Sequence, residues 1–211
     1  MPTIFEAKQR NLQTLVRRAE TEYDRAKALA ARQGMVVAVR HKCFISYHGA
    51  DIDAVTAFVD QFSSVFIPRV VGASDSDHFK DPVNSQDEDY IKQQIASKYM
   101  SDSSVTIVFV GACAWARKYV DWEIASSLRN SEKNKRNGLM AITPSDRSEN
   151  KLPERFAKNW KSKEPSYATY NYYPTTSSAL RGWIEDAYQA RTTRPGLVVQ
   201  GGSLKTRNSS C

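Results

Sequence analysis

The chain has 211 residues, a length that fits one α/β domain with extensions or at most two small domains. A hydrophobic fraction of 41% beside 25% charged residues is ordinary for a globular protein, and no apolar run approaches a membrane span, so no membrane is expected. The net charge of +7 is unevenly spread: residues 43–102 carry 4 basic and 10 acidic side chains while the flanks are basic, so no single basic stripe forms and nucleic acid is not the expected partner.

Residues 1–34 read as one amphipathic helix. Leu12, Leu15, Val16, Ala19, Tyr23, Ala26 and Ala30 recur at three- and four-residue steps, opposite Arg10, Arg17, Glu20, Asp24 and Lys27. Gly34 is its natural stop. Such a stripe suits packing on the domain or self-association. It lacks the continuous apolar core of a signal peptide. The three cysteines (Cys43, Cys113, Cys211) show no CxxC spacing. Cys43 and Cys113 fall in apolar segments, where buried free thiols are expected, and the reducing cytoplasm is the expected compartment.

From residue 41 the rhythm changes to strands alternating with helices. Cys43–Tyr47 is a short buried strand, and Asp51 or Asp53 then caps a helix to about Phe66 with Val55, Phe58, Val59 and Phe62 inward. Ile67–Val71 is a second strand. The polar stretch 72–86 reads as a long functional or mobile loop. Asp87-Glu88-Asp89 opens a helix whose apolar side is Tyr90, Ile91, Ile95 and Tyr99. Ser104–Gly111, continuously apolar and β-branched, has the pattern of a strand buried on both faces of a parallel sheet. Val120–Leu128 is helical, and Asn137-Gly138 turns the chain into a strand at Leu139–Ile142. Residues 145–166 look irregular, Tyr167–Tyr173 suits a strand, and Thr175 or Thr176 starts a last helix. A flexible basic tail is expected over 192–211. The alternation through 41–142 predicts an α/β domain, a central parallel sheet with helices on both faces.

Ligands of such sheets bind beyond the carboxyl ends of the strands. The turn Ser46–Asp51 offers a hydroxyl, a phenol, an imidazole and a carboxylate in Ser46, Tyr47, His48 and Asp51. The turn Gly111–Val120 offers Trp115, Arg117, Lys118 and Tyr119 and leads to Glu123. Glu123 at the start of a helix equally suits the positive end of the helix dipole, and Trp122 equally suits the core. There is no GxGxxG, GxxxxGK[ST] or GxSxG, and the histidines lack zinc spacing, so no metal site is expected. The clusters Asp75-Ser76-Asp77 and Asp87-Glu88-Asp89 read as solvated loop acids.

Taken together, KCFISYHGAD (Lys42–Asp51), SSVTIVFVG (Ser103–Gly111), WARKYVDWEIASSL (Trp115–Leu128) and NGLMAI (Asn137–Ile142) resemble the TIR-like proteins of the Thoeris anti-phage defence family. The match covers roughly 41–145 within a TIR-like domain of 41–190. It implies a flavodoxin-like fold and an NAD+-consuming enzyme, with NAD+ as substrate and no cofactor. Glu123 takes the position of the family's catalytic glutamate. With NAD+ as the substrate, the groups of the two turns are expected around it: Ser46, Tyr47, His48 and Asp51 toward the ribose or phosphates, and Trp115 or Tyr119 as a face for a ring. Many members carry Trp four residues before the glutamate; here that position is Tyr119, with Trp122 directly before Glu123. The resemblance further implies a homo-oligomer, a phage trigger, and a separate effector reached through a linear, cyclic or conjugated ADP-ribose product. A non-catalytic TIR scaffold and a nucleoside deoxyribosyltransferase with a nucleophilic glutamate remain alternatives on the same fold.

Overall fold

The computed structural model describes residues 3–70, 87–100, 102–131, 135–144 and 150–211. The polar loop and the Asp75–Asp77 cluster lie outside these residues. Five parallel strands form one sheet in the order β2-β1-β3-β4-β5: β1 Lys42–Ser46, β2 Ile67–Val70, β3 Val105–Phe109, β4 Gly138–Ile142 and β5 Thr169–Asn171. The flanking helices are α1 Ile4–Arg32, α2 Ile52–Phe62, α3 Glu88–Tyr99, α4 Lys118–Leu128, α5 Glu154–Asn159 and α6 Ser177–Thr193. This is the parallel α/β architecture expected from the alternation, with the N-terminal helix added.

Strand periodicity sorts the core into two layers. Cys43 and Ile45 of β1, with Val105, Ile107 and Phe109 of β3, pack against α2 and α6. Their neighbours Phe44 and Val108 face α3 and α4 instead. By the same alternation Ser46 points to the α4 side. The apolar stripe of α1 is used in packing: Leu12, Val16 and Ala19 are buried, and Lys8 Nζ meets Asp53 at 2.5 Å. Thr3 and Glu6 form a capping box at its start, and Gly34 leaves it at φ 65°.

Asp87 caps α3 by accepting hydrogen bonds from the N–H groups of Asp89 and Tyr90. Tyr90, however, is exposed, while Ile95 and Ala96 are buried. Tyr90 and Ile95 are five residues apart, roughly 140° around a helix, and cannot share one face. The span 145–166, expected to be irregular, contains α5, whose Arg155, Phe156 and Asn159 are buried.

Gly138 opens β4 directly beneath the Ala187 carbonyl of α6, where an added Cβ would collide with backbone. Gly138→Ala should therefore force α6 off the sheet and destabilise by about 3 kcal/mol. In urea unfolding its midpoint should fall with an unchanged slope; a midpoint equal to the native protein's would show that the helix–strand spacing has slack.

Cys43 is buried and free, and burial pushes its thiol well above the ordinary range. Cys113 departs from expectation: it is disulfide-bonded to Cys211, with Cα atoms 5.6 Å apart. The residue lies past the end of β3, in the half-exposed turn before the 3-10 turn Ala114–Ala116, so the strand's burial does not reach it. The stretch 192–211, whose composition predicts a flexible tail, is held in place: α6 runs to Thr193, a 3-10 turn covers Pro195–Leu197, and 198–211 packs back on the domain. Leu204 is buried, Asn159 bonds Val199 through both its N–H and its carbonyl, and Arg155 donates to the carbonyls of Gln200, Gly201 and Ser203.

Candidate active site

The chain runs from β1 outward to β2 and then returns to β3 on the other side of β1, so the strand order reverses between β1 and β3. A crevice opens at the carboxyl ends of strands at such a point, where ligands of open α/β sheets bind. Ser46 ends β1 at this crevice, and α4 delivers Glu123 to it. Ser46 Oγ donates to Glu123 Oε2 at 2.6 Å, a contact between residues 77 apart in sequence.

A buried polar network one turn further along fixes α4 against β3. Ser127 Oγ donates to the Glu123 carbonyl at 2.8 Å and lies 2.7 Å from Thr106 Oγ1. Asn137 Nδ2 donates to Thr106 Oγ1 at 3.1 Å, and Tyr167 donates to the Asn137 carbonyl at 2.6 Å. Because these buried groups are mutually satisfied, they fix the rotation of α4 that aims Glu123 at Ser46. Burial drives the Glu123 carboxyl up to about 8, with the Ser46 hydrogen bond opposing it.

The remaining candidates divide. Tyr47 joins the pair: burial, and then the nearby Glu123 charge, push its phenol above its usual range. Burial lowers the His48 imidazole, and Arg117 lowers it further, so the ring is neutral at pH 7. Asp51 starts α2 without capping it. Its carboxyl lies against Gly111, beyond β3, where a side chain at 111 would collide with it. Burial raises the Asp51 carboxyl, and its Oδ2 has no hydrogen-bond partner among the described residues.

Trp115 and Tyr119 stand in other surroundings. Trp115 lines a cleft of about 220 Å³ with Asp121, Arg155, Gly201 and Lys205, and Lys151 Nζ sits 3.7 Å from its ring centroid. Tyr119 meets Trp122 edge to face at 5.4 Å, with Lys118 over both rings. Trp122 is buried beside Phe44 and Leu204, and its Nε1 donates to the Lys205 carbonyl at 2.7 Å. It belongs to the core.

Arg117, one of the cations that the turn after β3 offers in the sequence, is not among the residues expected around NAD+. It precedes α4, acts electrically on His48, and has a buried Nε without a partner among the described residues. The only signal in the sequence was its place in the loop after the central strand. Among the described residues no cluster of His, Cys, Asp and Glu could hold a metal ion. None of the helices there is long and apolar enough to cross a membrane.

A family profile described as Thoeris protein ThsB, TIR-like domain, matches residues 44–149. The chain belongs to this family. The matched span runs from within β1 through β4, and includes Ser46, Arg117 and Glu123. The parallel sheet is the TIR-like fold that the resemblance implied, and the protein is a TIR-type member of the Thoeris defence family. A search of curated proteins finds no match to the chain.

Proposed function

We propose that this Thoeris TIR-like protein is an NAD+-consuming enzyme that cleaves the nicotinamide–ribose bond, with Glu123 as its catalytic carboxylate. The observation that carries the reading is the Ser46–Glu123 pair at the strand-order reversal. Nicotinamide in NAD+ is a cationic leaving group, so its departure needs no general acid. Positive charge builds on the ribose in an oxocarbenium-like transition state, as in glycoside hydrolysis. A fixed, partly buried carboxylate beside that ribose stabilises the charge in a medium that screens it poorly. One glutamate therefore suffices.

In the free protein Glu123 holds its proton at neutral pH, since burial has raised its carboxyl to about 8. An arriving nicotinamide cation favours the ionised form, so substrate binding itself prepares the carboxylate. Ser46 orients one of its oxygens. Tyr47 and neutral His48 present groups for ribose hydroxyls, and Arg117 is a cation suited to the pyrophosphate. The unpartnered Asp51 oxygen is an acceptor for a further hydroxyl. Tyr119 or Trp115 would offer an aromatic face to a base only after local rearrangement, given the cations over both rings.

Attack by water on the oxocarbenium gives ADP-ribose; attack by an internal nucleophile gives a cyclic isomer, and by another molecule a conjugate. The product then acts on a separate effector, and a homo-oligomer that responds to a phage trigger completes the reading. The test is to incubate the purified chain with NAD+, alone and with phage lysate, and to measure nicotinamide release while identifying the nucleotide by mass spectrometry. Nicotinamide appearing with an ADP-ribose-derived product is expected. No release under any of these conditions would overturn the enzyme reading in favour of a scaffold.

A further inference from the structure

From Lys205 on, the C-terminal segment makes a series of contacts with one short stretch of chain. Lys205 N–H donates to Asp121 Oδ2 at 3.0 Å, its carbonyl accepts from Trp122 Nε1, and its Nζ donates to the Trp115 carbonyl at 2.8 Å. Asn208 Oδ1 accepts from the Lys118 N–H at 2.9 Å, and Ser209 N–H donates to the Ala116 carbonyl at 2.8 Å. Cys211 ends the series in its disulfide with Cys113. Every one of these contacts falls between Cys113 and Trp122, the stretch that leads directly into Glu123.

Helix α4 has no side-chain cap from its own N-cap residue, Arg117; the Asn208 side chain, from 90 residues away in sequence, serves one of its first N–H groups instead. The segment thus supplies what the local sequence of α4 lacks. Its two halves are held unequally. Residues up to Lys205 are anchored by buried Leu204 and by Arg155. Beyond Lys205, contacts of exposed Asn208 and half-exposed Ser209, with the disulfide, hold a polar run that buries almost no apolar surface. Without the covalent link, the ordering cost of such a run exceeds what a few exposed hydrogen bonds return.

We propose that residues 206–211 are a redox-released strap that positions the first turn of α4, and through it Glu123, with the Cys113–Cys211 disulfide as its latch. The proposal rests on the catalytic reading of Glu123 for its effect on turnover, but not for the strap itself. Cys211 is exposed and Cys113 half-exposed, so an attacking thiolate reaches the Cys211 sulfur first. A dithiol reductant forms a mixed disulfide with Cys211 and expels the Cys113 thiolate, which takes up a proton. The second thiol of the reductant then closes its own disulfide and releases Cys211 as a thiol. Two electrons and two protons pass from the reductant to the protein. Disulfides that persist or cycle in thiol-rich compartments commonly serve this sensing role.

The test uses the full chain, oxidised and then treated with dithiothreitol, with intact mass reporting the gain of two hydrogens. Hydrogen exchange at the amides of 206–211 and of 113–118 should quicken at least tenfold on reduction. The kcat for NAD+ should fall at least fivefold with KM within about twofold, because the strap touches the helix and not the substrate. Reoxidation should restore both in the native chain but not in Cys211→Ser, which should behave as the reduced protein throughout; Cys113→Ala should match it. Exchange unchanged on reduction, or both cysteines found as thiols after oxidation, would overturn the strap. Faster exchange without any NAD+ turnover in either state would leave the strap standing and refute the catalytic reading instead. Faster exchange with unaltered turnover would refute the positioning of Glu123.

Discussion

Glu123→Gln should reduce NAD+ turnover by roughly 10²–10³-fold and at the same time stabilise the protein. The amide keeps the shape of the side chain and can still accept from the Ser46 hydroxyl, so the fold has no reason to change. What is lost is the negative charge that an oxocarbenium needs. What is gained follows from linkage: the Glu123 carboxyl is raised from its ordinary 4.5 to about 8 in the folded state. Between those values the native chain holds a proton that the unfolded chain releases, so native stability falls as pH rises through this window and levels off above it. The glutamine variant lacks that slope. At pH 8 it should be more stable by a few kcal/mol, on the order of 2–4, seen as a higher thermal midpoint. The same proton governs catalysis with the opposite sign. For the native enzyme kcat/KM should rise with pH up to about 8, and below that fall about tenfold per unit as the free carboxyl stays protonated. Equal stability of variant and native chain at pH 8, with parallel pH slopes, would show that Glu123 is not buried enough to be perturbed.

The second large effect is expected at Arg155→Ala. Arg155 is 5% exposed, and its guanidinium donates to both carboxylate oxygens of Asp121, through Nε at 2.9 Å and Nη2 at 3.2 Å. It also donates to the carbonyls of Gln200, Gly201 and Ser203. Removing it leaves Asp121 as a largely buried charge without its ion-pair partner and takes away the donor that ties the carbonyls of the C-terminal segment to α5. The loss should be about 3–5 kcal/mol, or roughly 10–15 °C in thermal midpoint for a chain of this size. Arg155→Lys should recover little, since a single ammonium cannot span two carboxylate oxygens and three carbonyls at once. A variant that melts within about 2 °C of the native chain would mean that solvent replaces the guanidinium at that site.

Much of the site was legible before any tertiary contact. The β-branched run of β3 and the short apolar run of β1 marked the central strands; the turn after β1 holds Ser46, Tyr47, His48 and Asp51, and the turn after β3 leads to Glu123 in α4. Arg117 stands in the turn before α4 and was indistinguishable there from its neighbour Lys118, because sequence pattern carries no information about which side-chain nitrogen packing buries. The aromatic residues were misleading for a related reason. Spacing places Trp115, Tyr119 and Trp122 near Glu123 along the chain, but only packing decides that Trp122 is core and that lysines lie over the other two rings.

What the sequence determined by itself were the local periods: strand, helix, cap and stop. Those patterns repeat over two to four residues and need no distant partner. Only the tertiary structure decided the pairings across long separations: Ser46 with Glu123, Arg155 with Asp121, Asn208 with the start of α4, and Cys113 with Cys211. The C-terminal segment shows why. It is polar, glycine-containing and without period, so its composition resembles a loose end. It is held by backbone carbonyls, one buried leucine and a covalent link, and none of these leaves a periodic trace in the chain.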